Sequence, residues 1–447
     1  MDGMQDVPEN LKQYIQQLEQ RIKELEAELQ RIKTDFEEYK KRHPPNVGVK
    51  SGKPYAFKSS NQSTTPKKPG AKQGHMPYFR PMPDHIDEVQ YLPVVRCPEC
   101  GGTELSEKVQ ETRTRTYEDI PVQKSVVIQL QIERRYCRTC KKIVETPVTS
   151  VLPKARLSLR VMLIVVWFKI RYRMTEEAIP EVLETLFGLR LSEGEVMHIL
   201  SQVAKAFGPY YQGLIQEIRT AEARYMDETF WRINGENACL WAFVTKAAVL
   251  YKIASSRGHE VPLQILGKKH NGVDVHDRFS AYKALAQKTK NPQQDCWTHI
   301  LNNAEELKGF YGEEGAHIHQ SLQAIYHAAK AYNHQGTDID INNLFNHMTE
   351  KLNQPYKSTH CHRFVMNLFE DKDCLFEFVK NLYVDGTNNL AERAVRPPVV
   401  ARKISGGNRS IHGTQNYEIL LSVTQTLHMN GQNLVDHGPA ILLTSHG

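Results

Sequence analysis

The stretch Tyr225-Met226-Asp227-Glu228-Thr229-Phe230-Trp231 sets aromatic and β-branched residues around an acid. Such side chains suit a pleated, half-buried surface, so the spacing predicts a strand that carries Asp227. The preceding residues 157–222 have a helical pattern, and the character of the chain changes at Ala223. Residues 239–245 and 249–254 are two more strands separated by a short turn. Gly272-Val273-Asp274-Val275-His276-Asp277 reads as a strand that ends in an acid, after which 278–288 resumes as helix.

Three early strands, a helix and a further strand with a second acid are compatible with an α/β sheet of ribonuclease-H type. The chemistry that needs such acids is two-metal phosphoryl transfer, in which paired ions activate the attacking oxygen and stabilise the leaving one. Mg²⁺ takes oxygen ligands and keeps several waters, so three carboxylates suffice if one bridges both ions. Asp227 and Asp277 supply two candidates. The third is Glu392 in Asn388-Asn389-Leu390-Ala391-Glu392-Arg393-Ala394-Val395-Arg396-Pro397. This run is expected to be a short helix stopped by Pro397 and Pro398. Arg396 falls at i+4 from Glu392, on the same face, and Arg402, Lys403 and Arg409 follow. A carboxylate beside cations suits a site that handles DNA phosphates. The Asn389-x-x-Glu392 spacing also fits a capping box, which would make Glu392 a plain N-terminal cap.

Two Cys-x-x-Cys pairs bracket an earlier module, Cys97-Pro98-Glu99-Cys100 and Cys137-Arg138-Thr139-Cys140. Two such knuckles place four thiolates around one Zn²⁺, a closed and therefore structural site. Before the second pair, Ile128, Leu130 and Ile132 alternate with polar residues, the pattern of a half-buried strand. Eight cysteines in 447 residues are too few and too unevenly spaced for a disulfide scaffold.

The net charge is +6, and it is concentrated. Positions 40–80 hold ten basic residues, Lys67, Lys68 and Lys72 among them, and no acid, so the remainder of the chain is net acidic. A basic arm of this kind suits a polyanionic partner such as nucleic acid; a solubilising linker has the same composition. Ahead of the arm, Leu11, Leu18, Leu25, Ile32 and Tyr39 interleave with Ile15, Ile22, Leu29 and Phe36 in steps of four and three. That is an a/d seam, which predicts a coiled coil that pairs two or more subunits until His43-Pro44-Pro45 ends it. No apolar run reaches the length of a membrane span, and the N-terminus carries no apolar signal core, so a cytoplasmic protein is expected.

These signals divide the chain into a coiled-coil helix (8–43), a basic linker (44–85), a zinc-binding module (86–150), a helical segment (151–222), a catalytic domain (223–415) with a helical insertion at about 302–381, and a helical tail (416–447). Within the helical segment, a turn at Phe187-Gly188-Leu189 precedes Ser192-Glu193-Gly194-Glu195, which caps a second helix. Helix-turn-helix and ordinary helical hairpin both fit, and the second helix carries little positive charge for reading DNA.

Taken in order, Met226-Asp227-Glu228-Thr229-Phe230-Trp231, Ser256-Arg257-Gly258, Asp277-Arg278-Phe279-Ser280-Ala281-Tyr282, Cys296-Trp297-Thr298-His299 and Asn388 to Arg393 with Val395-Arg396-Pro397 resemble the insertion sequence 66 family of bacterial DDE transposases. The resemblance also reaches Lys68-Pro69-Gly70 and the zinc module. It implies a ribonuclease-H-like fold in which Asp227, Asp277 and Glu392 form the catalytic triad and hold two Mg²⁺ (or Mn²⁺) ions. It further implies cleavage at transposon ends and strand transfer into target DNA. Lys67, Lys68, Lys72, Arg393, Arg396, Arg402 and Lys403 would contact DNA, and the protein would associate with the nucleoid when bound. Cys296 and His299 match a family motif read as support near the site; a second zinc that also uses Cys361 and His362 fits no strong template. The competing readings are a non-catalytic zinc-containing DNA-binding protein descended from a transposase, and a ribonuclease-H-like nuclease without strand transfer.

Overall fold

The computed structural model describes residues 82–444 and eight helical positions between 20 and 34. Most of the heptad seam, and the arm with Lys67, Lys68 and Lys72, lie outside the described residues. The first regular structure after them is an antiparallel hairpin, β1 (Arg134–Cys137) and β2 (Lys142–Glu145). The expected strand at Ile128, Leu130 and Ile132 does not form; these side chains are exposed and strand geometry begins at Arg134. Alternation alone gives a segment two faces, but a strand also needs a neighbouring backbone to take its hydrogen bonds. The Cys137-to-Lys142 turn provides that neighbour only for β1.

Four helices follow, α1 (Leu159–Ile170), α2 (Ala178–Phe187), α3 (Glu193–Ala206) and α4 (Gly208–Thr220). Gly188 ends α2 in the left-handed region at φ 62°. Ser192 and Glu195 cap one another's backbone at the start of α3, as the sequence predicts. Both helices turn apolar residues such as Leu183, Val196 and Val203 into a shared core.

The sheet comes next: β3 (Ala223–Ile233), β4 (Glu236–Val244), β5 (Val249–Ala254), then α5 (Glu260–Leu266), β6 (Val273–His276), α6 (Ser280–Thr289) and β7 (Gln293–Asp295). Its strand order is β5-β4-β3-β6-β7. The first three strands form an antiparallel meander, and β6 and β7 add in parallel beside β3. Asn234-Gly235, both at positive φ, close the two-residue turn between β3 and β4, a signal written plainly in the sequence. Gly272 is required where the chain enters β6, because a Cβ there would strike the carbonyls of Ala221 and Glu222.

Even-numbered residues of β3 face one layer and odd-numbered residues the other, as strand pleating demands. Met226 packs with Trp241, Phe243 and Tyr282 under α4, α5 and α6. Tyr225 and Trp231 face the opposite layer. That layer arrives late in the chain, after a helical insertion made of α7 (Trp297–Ala331, broken at Tyr311 and Gly312), α8 (Asp338–Leu352), α9 (Thr359–Glu370) and the short α10 (Glu377–Lys380).

The layer itself is α11 (Asn389–Ser405), α12 (Ile411–Met429) and α13 (Leu434–Thr444). Against expectation, α11 is not stopped by its prolines; it runs through Pro397 and Pro398 for 17 residues. A proline at 398 cannot donate to the carbonyl of Ala394 four residues back. The buried Tyr251 hydroxyl donates to that carbonyl instead, at 2.7 Å. Glu418, Ser422 and Thr426, one turn apart on α12, accept from the backbone N–H groups of Ile253, Tyr251 and Val249 at 2.7, 2.9 and 3.0 Å. No helix among the described residues is long and apolar enough to cross a membrane.

Candidate active site

Asp227 lies on β3, opposite Ala242 of β4. On its other side the parallel register pairs Tyr225 with Val275. Carried two residues further, that register sets Asp227 beside Asp277, which follows the end of β6, on strands about 4.8 Å apart. The Asp277 carboxylate accepts from the Phe279 N–H at 3.0 Å and so shapes the bend into α6. Asp227 Oδ1 accepts from the Glu228 N–H at 2.9 Å.

Glu392 comes from the first turn of α11, on the odd-numbered face of β3 where Asp227 projects. The capping-box reading of Glu392 does not hold. Asn389 is already helical, and the residue at the cap, Asn388, makes no side-chain cap bond. The buried Asn388 instead donates its side-chain amide to the Met226 carbonyl at 2.7 Å, and its backbone N–H to Cys296 Sγ at 3.1 Å. Tyr225 fastens the same approach: its hydroxyl accepts from the Asp385 N–H at 2.8 Å and donates to the Tyr383 carbonyl at 3.2 Å. The far end of α11 is stitched down by Asn408, which accepts from the Trp231 indole N–H at 2.8 Å and donates its N–H to the Arg232 carbonyl at 3.0 Å.

Burial raises the Asp227 pKa well above the ordinary range, and the charges of Glu228, Asp277 and Glu392 push it further in the same direction. A carboxylate raised in this way by its carboxylate neighbours belongs to an all-oxygen donor set that a divalent cation would relieve, so the residues fit Mg²⁺ or Mn²⁺.

Glu228 carries a role that alternation alone does not reveal. It points away from Asp227 into the opposite layer, 2% exposed, where it meets Arg257 at 2.6 Å and accepts from the Tyr282 hydroxyl at 2.6 Å. Burial and Asp277 raise its pKa, and the bonds from Tyr282 and Arg257 oppose that rise. Arg257 stacks on Phe279 at 4.1 Å, and Tyr282 stacks on His276 at 4.6 Å. One buried carboxylate thus ties β3 to the Ser256-Arg257-Gly258 turn and to α6, the helix that follows Asp277. Further out, Arg278 bridges Asp295 and Asp371, and Lys283 pairs with Asp371 at 2.7 Å. Burial pushes the Asp295 pKa up to about 6, against the pull of His276 and Arg278.

Cys296 caps α7 and His299 lies in its first turn. Both sit at the edge of this centre, with His299 Nδ1 3.7 Å from Glu392 Oε1. Burial works against the His299 imidazolium, but the neighbouring Cys296, aided by Asp277 and Glu392, raises its pKa to about 9. Cys361 is elsewhere, in α9 beside Ser358 and Glu314.

The cations expected to meet DNA separate into two groups. Arg393, Arg396 and Lys403 are exposed on α11. Arg402 is turned back onto β3, where it donates to Thr229 at 3.2 Å and to the Phe230 carbonyl.

The cysteine pairs form as two separate knuckles. Cys97 closes a turn through Gly101 N–H to Cys97 O at 2.8 Å, with Gly101 at φ 74°. Cys137 and Cys140 flank the β1–β2 turn. Within each pair, the backbone and thiol of the second cysteine (Cys100, Cys140) lower the pKa of the first. Among the described residues, no three of these sulfurs lie within 4.8 Å of one another. Each half fits a zinc knuckle; four mutually repelling thiolates converge on one centre only around an ion.

The sequence model of the family described as "Transposase IS66 family" matches residues 154–416. That described as "zinc-finger binding domain of transposase IS66" matches residues 96–141. A protein of Sinorhizobium fredii (strain NBRC 101917 / NGR234), named "Uncharacterized protein y4hP", is 24% identical over 229 residues. The match covers 47% of this chain and 40% of that relative, so the chain spans well under two thirds of its length. With the family match extending from α1 through the sheet, the insertion and α11 into α12, the chain belongs to the IS66 family of transposases.

Proposed function

We propose that this protein cleaves DNA strands at transposon ends and transfers the freed 3′-hydroxyl into target DNA, with Asp227, Asp277 and Glu392 as its three catalytic acids. The observation that carries this reading is the convergence of three carboxylates, from β3, the end of β6 and α11, whose charges meet at the half-buried Asp227. Two divalent ions held by these carboxylates supply Lewis acidity toward the attacking and leaving oxygens of a phosphodiester.

The chain's own residues supply placement. Asn388 and Tyr225 fix the approach of α11 to β3, and Glu228 with Arg257 and Tyr282 fixes β3 against α6, the helix that follows Asp277. In cleavage, water adds to phosphorus and the 3′-oxygen leaves with a proton. In joining, that 3′-hydroxyl displaces a 3′-oxygen of target DNA in line, with no covalent protein intermediate. Arg393, Arg396 and Lys403 line the exposed side of α11 for the phosphate backbone, and Lys67, Lys68 and Lys72 extend this contact along the arm.

The order β5-β4-β3-β6-β7, with a meander followed by parallel additions, supports reading residues 223–415 as ribonuclease-H-like. The zinc module and helical segment serve recognition of the ends. The N-terminal heptads pair subunits so that two ends are held together.

The test is a strand-transfer assay with labelled transposon-end DNA and Mg²⁺. Glu392→Gln and Asp227→Asn should each lower joined product by at least about a hundredfold, since outer-shell partners of a metal ligand alone are worth about 10–100-fold. Cleaved ends without joined product in the wild type would indicate a nuclease. DNA binding without cleavage would indicate a binding protein.

A further inference from the structure

Cys296, His299 and Glu392 form a second cluster whose chemistry differs from that of the three acids. One sulfur, one imidazole nitrogen and one carboxylate oxygen lie within 4.8 Å of one another. His299 Nδ1 and Glu392 Oε1 stand 3.7 Å apart, outside hydrogen-bond reach. Both atoms are sealed from solvent and neither has a hydrogen-bond partner. Buried polar atoms are ordinarily paired, so two orphans that face each other call for a third party between them. Two ligands about 2.1 Å from a tetrahedral ion are separated by about 3.4 Å, close to the spacing found. Cys296 is fully buried, and its sulfur accepts the Asn388 backbone N–H at 3.1 Å, the kind of outer bond that orients a metal ligand.

We propose that Cys296, His299 and Glu392 bind one zinc ion, distinct from the magnesium centre and from the Cys97/Cys100/Cys137/Cys140 module. A sulfur–nitrogen–oxygen set suits zinc, whereas magnesium takes oxygen alone. Three protein ligands leave the fourth position to water. Glu392 then serves two centres, with Oε1 on zinc and its other oxygen free for the side of Asp227 and Asp277. The ion joins the first turns of α7 and α11 and sets the angle at which Glu392 is presented.

The test is metal content of the full-length purified chain, without DNA or magnesium. Wild type should hold two zinc equivalents, and Cys296→Ser and His299→Ala one each. One equivalent in the wild type, or two retained in Cys296→Ser, overturns the proposal. A second measurement avoids altering the buried cluster: Cys97→Ser with Cys100→Ser, loaded with Co²⁺, should keep a tetrahedral visible spectrum with a single thiolate charge-transfer band. Loss of that spectrum overturns it equally. Strand transfer by a one-zinc protein would sink this site and leave the transposase reading standing; two zincs without strand transfer would do the reverse.

Discussion

Asn388 donates its side-chain amide to the main-chain carbonyl of Met226 at 2.7 Å, which fastens the start of α11 to the residue before Asp227. Glu392 is one turn further on, so its position relative to Asp227 depends on this bond. Asn388→Ala should lower strand transfer about 10–100-fold, as loss of an outer-shell partner does. Stability should fall by about 1–3 kcal/mol, because the buried Met226 carbonyl loses its side-chain partner. Transfer rate and urea midpoint, measured on one preparation, separate the two effects.

Arg257 and Glu228 form a pair with unequal exposure, 38% against 2%. Removing the arginine strands a buried acid. Arg257→Ala should cost about 2–3 kcal/mol, less than a fully buried pair because water already screens the arginine side. Adding Glu228→Gln removes the stranded charge, so the double variant should unfold at higher denaturant than Arg257→Ala alone. Equal midpoints would show that the pair is not coupled.

Asp295 offers a pH test. Its folded pKa, raised by burial to about 6, lies above the ordinary aspartate value of 3.8. The folded state therefore binds the proton more tightly than the unfolded state does. The associated stability is complete below about pH 4 and is lost as pH rises toward 6. Between those values the wild type should lose up to about 3 kcal/mol relative to Asp295→Asn, and the difference should be flat above pH 7. Denaturant unfolding of both proteins across pH 4–7 measures it.

Tyr251 and Pro398 make a coupled prediction. Tyr251→Phe leaves the Ala394 carbonyl without a donor and should cost about 1–3 kcal/mol. Pro398→Ala restores a backbone N–H four residues away. In that background Tyr251→Phe should cost less than about 0.5 kcal/mol, and a double-mutant cycle by chemical denaturation reads the difference directly.

The pairing of Asp227 with Asp277 was legible because the first lies on a strand, and the second directly follows one, whose side-chain types declare it; parallel register then sets the two side by side. Glu392 was legible through its motif and not through its helix. Local propensity stops α11 at Pro397, whereas Tyr251, some 140 residues earlier, allows it to continue. Glu228 was hidden for a related reason: alternation gives the face it occupies but not the Arg257 and Tyr282 that meet it there. Arg402 reads as a free cation in a basic run, and only the return of α11 across β3 shows it held by Phe230 and Thr229. The strand expected at Ile128 failed because alternation cannot supply a partner.

The side chains of Glu418, Ser422 and Thr426 have one more consequence. The backbone N–H groups they occupy are those a newcomer strand would need in order to dock on β5. This margin of the sheet is therefore closed to augmentation by another chain, a common hazard of exposed strand borders. Two copies of the chain held close together therefore cannot merge their sheets through β5, and any contact between them has to be built elsewhere.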